Sequence, residues 1–299
     1  MKKVVVTGGA GFIGSTLVDT LLQNSEYEVH VVDNLSAGKK ENLHPKAILH
    51  EVDVRDKEKL SLIFKDSYCV FHLAAIPSVQ YSIEFPEETE SVNVGGTLSV
   101  LMVAKQVGVK KVIYSASGGS VYGDCDKFPT DESVLPSPKS PYGLQKYIGE
   151  HLCRLWSEIH GLKTVSLRYF NVYGPRQSDK GAYASVVPIF LRMKKDGEEL
   201  TVTGDGLQTR DFVHVRDVAR ANILAMENEN IGNGEVINIG GGKERSVLEI
   251  AELIGGAHKF TPGRIESRRS LADISLAKKV LDWEPKEDFE KGVEELKNL

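Results

Sequence analysis

The chain has 299 residues, a formal charge of −5 from 37 basic and 42 acidic side chains, and 41% hydrophobic residues, enough to bury a large core in one extended α/β unit or two interlocked lobes. Both signs of charge are mixed along the sequence, which gives no electrostatic footprint for a nucleic acid or an anionic membrane. No apolar run approaches the roughly 18 residues of a membrane span, the apolar stretch after Lys2 and Lys3 is too short for a signal-peptide core, and Cys69, Cys125 and Cys153 lack any metal-ligand or CxxC pattern. A cytoplasmic protein without a metal centre is expected.

In chain order, β-branched runs alternate with helical patterns. Strands are predicted at 4–7, 28–33, 48–52, 69–73, 111–115 and 164–168, and helices at 13–23, near 94–107 and near 142–160. This βαβ rhythm, with strands apolar on both faces, predicts an α/β fold: a doubly wound parallel-sheet Rossmann domain over residues 1–170. After Phe170, Gly and Pro punctuate shorter pieces. Residues 171–299 are expected to form mainly a smaller substrate-binding lobe, with a strand at 236–239 returning to the sheet and short helices at 246–254, N-capped by Ser246, and 274–281.

Gly8, Gly11 and Gly14 in TGGAGFIG follow the first strand and open a helix, and Phe12 and Ile13 in that turn are expected cofactor contacts. In that context Gly8 permits the tight turn, Gly11 lets the backbone approach a pyrophosphate, and Gly14 lets helix and strand pack closely, with the helix N-terminus facing the anion. Asp33 ends the second strand nineteen residues after Gly14, where a carboxylate accepts both adenosine-ribose hydroxyls and repels a 2′-phosphate. NAD is therefore expected rather than NADP, with Lys39 and Lys40 the opposing signal. Asn34, Leu35, Ser36 and Gly38 follow in the same loop. Asp53 and Val54 close the third strand within reach of an adenine, and Leu73, Ala74 and Ala75 end the fourth with small residues where a cofactor approaches.

Tyr142 and Lys146 stand four apart in PYGLQK, on one face of a helix that Pro141 helps to start. An ammonium and a positive nicotinamide ring beside a phenol stabilise phenolate, drawing the tyrosine from its reference near 10 toward working pH, so that Tyr142 serves as a general base. The fifth strand runs into SASGGS, placing hydroxyls at the carboxyl edge of the sheet. Ser117 is the expected partner of the reacting hydroxyl, with Ser115 and Ser120 as rivals.

Together TGGAGFIG, Asp33, Asp53, SASGGSVYG, PYGLQK and LRYFNVYGP resemble the extended short-chain dehydrogenase/reductase family, and within it the nucleotide-sugar 4-epimerases, over nearly the whole chain. The resemblance implies that Tyr142 takes a proton from the sugar 4-hydroxyl as hydride leaves C4 for bound NAD, that Lys146 binds the nicotinamide ribose, that Ser117 assists, and that the 4-keto sugar turns over before hydride returns. It adds Asn93, Ser115, Tyr169 and Val172 to the cofactor contacts. For a UDP-sugar substrate it implies Ser78, Gly118 and Gly119 near the sugar. Asn171, Arg210 and Arg264 fall at the diphosphate, Arg268 and Arg269 competing with Arg264, and Ala184, Val186, Val187, Thr201, Val202 and Thr203 around the uracil. Ser270 stands beside the sugar C2 substituent, where a small residue leaves room for an N-acetyl group. Gly118 and Gly119 occupy the places where dehydratases carry Asp-Glu, which argues against dehydration and weakens a UDP-glucuronate decarboxylase reading. A non-catalytic dinucleotide-binding scaffold is the alternative of another class. The family also implies a homodimer built as a four-helix bundle from the helices near 97–107 and 142–160, the latter presenting Leu144, Ile148, Leu152, Leu155, Trp156 and Ile159.

Overall fold

The computed structural model describes residues 1–179, 185–263 and 268–299. Six strands alternate with helices in the first part of the chain: β1 (Lys2–Thr7), β2 (Tyr27–Asp33), β3 (Ile48–Glu51), β4 (Cys69–His72), β5 (Lys111–Ser117) and β6 (Lys163–Tyr169). The remaining strands are β7 (Asn171–Tyr173), β8 (Leu200–Thr203), β9 (Thr209–His214), β10 (Asn233–Ile239), β11 (Glu244–Ser246) and β12 (His258–Thr261). β10 returns to complete a seven-stranded sheet of order β10-β6-β5-β4-β1-β2-β3, in which every pairing is parallel.

The alternation of a strand sorts this sheet's side chains into two cores. Val4 and Val6 face Leu17, Val18 and Leu21 of the helix Phe12–Leu22. Val5 faces the opposite layer, where Leu60, Phe64, Val100 and Leu101 come from the helices Lys57–Phe64 and Gly96–Val107. The strand order reverses between β1 and β4, and the carboxyl ends at such a switch point are where open α/β sheets bind ligands.

A smaller lobe holds the sheets β11-β9-β7 and β12-β8, with the helices Val186–Lys195, Val247–Ile254 and Phe289–Lys297 around Phe190, Val202, Ile250 and Val293. Ser246 caps its helix in a full capping box with Glu249. The chain crosses between lobe and sheet more than once. The helices Val215–Glu227 and Ser275–Leu281, together with Trp283, pack into the first sheet core, so residues beyond 170 build part of the Rossmann layer.

Two helices differ from expectation. A π turn at Ser91–Gly95 precedes the helix Gly96–Val107. The helix Pro141–His160 starts at Pro141, capped by Ser140, but its apolar side is not all covered by the sheet: Leu144, Leu155 and Ile159 are 49%, 40% and 69% exposed. Packing buries instead the face with Tyr142, Lys146, Gly149 and Cys153. Among the described residues no helix is long and apolar enough to cross a membrane.

Candidate active site

At the switch point the backbone leaves no room for side chains. Gly8 has a left-handed φ of +70°, and a Cβ there would stand 2.7 Å from the Ala74 nitrogen, so the turn lies directly on the Leu73–Ala74 end of β4. A Cβ on Gly14 would stand 2.1 Å from the Gly8 carbonyl oxygen. Gly14 thus serves the contact between helix and turn rather than between helix and strand. The helix opening at Phe12 and Ile13 has Gly11 as N-cap and no capping side chain, which leaves its first N–H groups for an anion.

Asp33 is buried; its two oxygens accept from Ala10 N and Leu35 N, both at 2.9 Å. Gly38 passes so close that a Cβ would lie 2.9 Å from Asp33 Oδ2. Asn34 accepts from Ser36 at the loop's exposed edge. Asp53 is already bound to Arg55 at 2.7 and 2.8 Å, which holds its carboxyl down to about 2 against an opposing burial effect. Val54 is buried against Gly96. Beneath the cradle Thr7, His72 and Thr97 form a hydrogen-bonded chain of 2.8 and 3.0 Å, with burial pushing His72 down to about 3, so this imidazole is neutral. Asn93, in the π turn, bonds both Ile76 N and O and reaches Gln145 at 2.8 Å. Ala75 lies beside Ile76 after β4. A glycine-lined approach, an uncapped helix N-terminus and a carboxylate at the end of β2 together fit a dinucleotide.

The reactive groups converge beside this cradle. Ser117 ends β5, and Tyr142 and Lys146 project inward from the helix Pro141–His160. That helix comes close because a Cβ on Gly143 would be 2.3 Å from the Ser120 carbonyl and one on Gly149 would be 2.1 Å from the Tyr114 hydroxyl. The Tyr142 N–H donates to Ser82 Oγ at 3.1 Å, and Lys146 Nζ donates to the Ser115 carbonyl at 2.7 Å. Of the three candidate serines, Ser117 is the one whose side chain partly offsets the burial of the Tyr142 phenol, and Ser115 acts in the same way on Tyr169.

Burial pushes Tyr142 up to about 12, only partly offset by Ser117, and pushes Lys146 down to about 8. The expected lowering of the phenol is therefore absent in the protein alone. In a dry site desolvation of the phenolate outweighs a lysine whose ammonium is turned onto a carbonyl.

On the substrate side, a Cβ on Gly118 would fall 2.3 Å from the Phe170 ring, while one on Gly119 would meet only Asn171 Oδ1, at 3.8 Å. A small cavity is lined by Gly118, Gly119, Tyr122, Phe128, Arg269 and Ser270, among others. Asn171 Nδ2, Ser185 Oγ and Ser270 Oγ are buried without a hydrogen-bond partner. Tyr169 directs its hydroxyl to Asn222 at 2.9 Å, Val172 lies half-buried in β7, and Ser78 caps the helix Val79–Glu84 by accepting from Tyr81 N.

Several expected substrate contacts are revised. The side chains of Val187 and Val202 are fully buried in the lobe core and cannot face a uracil; Val186, Thr201 and Thr203 are the half-buried neighbours. Arg268 pairs with Asp205 through two bonds of 2.8 Å, and Arg269 pairs with Glu244 at 2.7 and 2.8 Å. Both competitors for the diphosphate role are thus engaged in ion pairs. Arg210 donates to Thr209 O at 2.8 Å. Ala184 and Arg264 lie outside the described residues.

Sequence reasoning missed the supports of this site. Glu150, one helical turn after Lys146, takes Arg168 in a buried bidentate pair of 2.7 and 2.8 Å, and Arg168 lies over the Tyr122 ring at 4.6 Å. The spacing of Glu150 from Lys146 was the available signal. A groove of about 710 Å³ flanked by Arg176, Arg192 and Lys297 contains none of the site residues.

Comparison with known proteins agrees with this geometry. Residues 4–240 match the family described as the NAD dependent epimerase/dehydratase family. The structure of a UDP-glucose 4-epimerase from Thermotoga maritima with UDP-glucose is 44% identical, covers 97% of this chain and 96% of its own, and superposes with a TM-score of 0.92. A UDP-N-acetylglucosamine 4-epimerase from Methanobrevibacter ruminantium is 38% identical over 99% of this chain and 97% of its own, with a TM-score of 0.93. A UDP-N-acetyl-alpha-D-glucosaminuronate decarboxylase from Bacillus cytotoxicus is 36% identical over 98% of this chain and 96% of its own. The chain belongs to the NAD dependent epimerase/dehydratase family of extended short-chain dehydrogenases/reductases, and its cofactor is NAD.

Proposed function

We propose that the protein inverts C4 of UDP-sugars, interconverting UDP-glucose and UDP-galactose through a transient 4-keto sugar. The observation that carries this reading is the pair Gly118–Gly119 beside Ser117 and Tyr142. Inversion needs one group that takes a proton from the 4-oxygen and returns it, whereas dehydration needs a further acid and base at C5 and C6. The space a side chain at 118 would use is filled by Phe170.

NAD, when bound, would supply hydride acceptor and donor chemistry at C4. The chain's residues do the rest. Ser117 and Tyr142 hold the 4-hydroxyl, and Tyr142 accepts its proton. Lys146 offers its ammonium to the nicotinamide ribose. Gly8 and Gly11 let the backbone amides reach the pyrophosphate, Gly14 seats the helix on the turn, and Asp33 receives the adenosine ribose. Asn171 Nδ2 and Arg210 donate to the substrate diphosphate.

Ser270 and the small cavity beside it support use of UDP-GlcNAc and UDP-GalNAc as well. Decarboxylation of a UDP-uronate is the second reading, favoured by the Bacillus cytotoxicus relative. Against it, Arg269, the cation among the residues lining that cavity, is spent on Glu244. The exposed Leu144, Leu155 and Ile159, with Met102 42% exposed on the helix Gly96–Val107, support a homodimer through a four-helix bundle; a monomer in light scattering would refute it. The free thiols, with Cys69 and Cys153 buried, suit a reducing cytoplasm.

The deciding experiment incubates purified enzyme with UDP-galactose and no added NAD, then separates the epimers. Turnover is expected. Tyr142→Phe keeps the shape and removes the proton acceptor, and should lose roughly 10²–10⁴-fold in kcat; epimerisation at the wild-type rate would overturn the mechanism. Lack of turnover on the acetylated pair would remove only that part of the substrate range.

A further inference from the structure

Asp211 lies in β9 next to Arg210, and its carboxylate is sealed from solvent. It accepts backbone N–H bonds from two other segments: Gly241 at 2.6 Å, Gly242 at 3.2 Å and Ala272 at 2.9 Å. Gly241 and Gly242 follow β10, the edge of the large sheet. Ala272 belongs to the stretch running back from Arg268 toward the helix Ser275–Leu281.

The turn after β10 is shaped around this carboxylate. A Cβ on Gly240 would sit 2.7 Å from Asp211 Oδ2, and one on Gly241 would sit 2.1 Å from the Phe212 carbonyl oxygen. An apolar residue at 211 would strand three buried donors. The three segments that meet here carry groups that the UDP-sugar reading assigns to the substrate. Arg210 is the preceding residue of β9. Ser270, whose hydroxyl has no partner, stands two residues before Ala272. Ile239, at the end of β10, accepts from Phe170 N at 3.0 Å, and Phe170 backs Gly118. Thr209 N donates to the Arg268 carbonyl at 3.0 Å, a second stitch between the same two segments.

We infer that Asp211 is a positioning residue that holds Arg210 and Ser270 at the separation a nucleoside-diphosphate hexose requires between its phosphates and its sugar; this rests on the UDP-sugar reading above. Asp211 touches neither substrate nor cofactor. Its contribution is therefore to substrate binding, and the Rossmann cradle is independent of it.

The test is Asp211→Asn, which keeps the size but turns an NH₂ toward at least one of the three donors. The expected result is a KM for UDP-glucose raised roughly tenfold, as for a strained buried hydrogen-bond set, with kcat changed less than about threefold and NAD co-purifying as in the wild type. An unchanged KM, or a loss confined to kcat, would overturn the assignment. Should the variant not be recovered folded, hydrogen exchange of the wild type with UDP-glucose serves instead. The amides of 240–242 and 270–273 are expected to slow together, and unchanged exchange there would overturn the inference. The substrate reading fails separately, on the wild type alone, by absence of turnover of UDP-glucose; the variant-to-wild-type ratio is then taken with whichever of UDP-N-acetylglucosamine, UDP-glucuronate or dTDP-glucose the wild type converts.

Discussion

The cofactor half and the substrate lobe solve the same problem, placing polar groups in a dry interior, in opposite ways. In the cofactor half the polar groups around the site mostly pair within the chain: Thr7, His72 and Thr97 form a chain, Lys146 caps a carbonyl, and Glu150 takes Arg168, while Ser67 Oγ, Ser166 Oγ and Arg168 Nη1 stay without partners. In the lobe and at its edge, Asn171 Nδ2, Ser185 Oγ and Ser270 Oγ are buried without partners. Buried polar groups are nearly always bonded, and under the reading proposed above Asn171 and Ser270 would find their partners in the substrate's oxygens. The partnerless groups of the lobe lie beside the proposed substrate, those of the cofactor half within its packed layers.

Four measurements test that contrast. The largest effect is expected from Arg168→Ala, which leaves Glu150 as an uncompensated buried charge under the Pro141–His160 helix and should cost about 3–5 kcal/mol in denaturant unfolding. A cost below about 1 kcal/mol would mean that the buried pair is less tightly held than its geometry implies. Gly14→Ala comes next, at roughly 1–3 kcal/mol, because its Cβ meets backbone rather than a movable side chain; co-purified NAD should be lost with it.

Lys146→Met should abolish turnover yet leave the protein as stable or about 1–3 kcal/mol more so at pH 7. The sign follows from burial. The folded pKa of about 8 lies below the unfolded 10.5, so below pH 8 both states are protonated and folding bears the full cost of burying the charge. Between those values the unfolded chain holds more protons, stability of the wild type rises with pH, and the gap to the variant should close above 10.5. Thermal melts from pH 7 to 11 check it, and a constant gap would count against the buried charge. The smallest effect belongs to the lobe: Arg268→Ala removes an exposed pair with Asp205 and should cost under about 0.5 kcal/mol. A loss above about 2 kcal/mol there would show that this pair is held more tightly than its exposure implies.

Much of the first half was legible because its signals are local. Val4, Val5 and Val6 report a strand buried on both faces, and the four-residue step from Tyr142 to Lys146 fixes one helix face. Choosing Ser117 over Ser115 required knowing where each hydroxyl points. In the lobe the informative contacts are remote in sequence: Asp205 meets Arg268 across 63 residues, and Asp211 meets Ala272 across 61. Val202 was assigned to the uracil although the alternation in Leu200–Thr203 already sends Leu200 and Val202 inward and the threonines outward. The acidity of Tyr142 could not be read at all, since it is set by how much water the fold removes.

The return of β10 and Trp283 to the first sheet core also fixes an order of events during synthesis. When residue 170 has been made, the sheet still lacks its β10 edge, and the sites for the helix Val215–Glu227 and for Trp283 are open. Ile113, Val165 and Leu167 would be exposed on that face until more than a hundred further residues are added. A nascent chain stalled at residue 170 should therefore bind a hydrophobic-patch chaperone and yield to protease, whereas one extended past Trp283 should resist both.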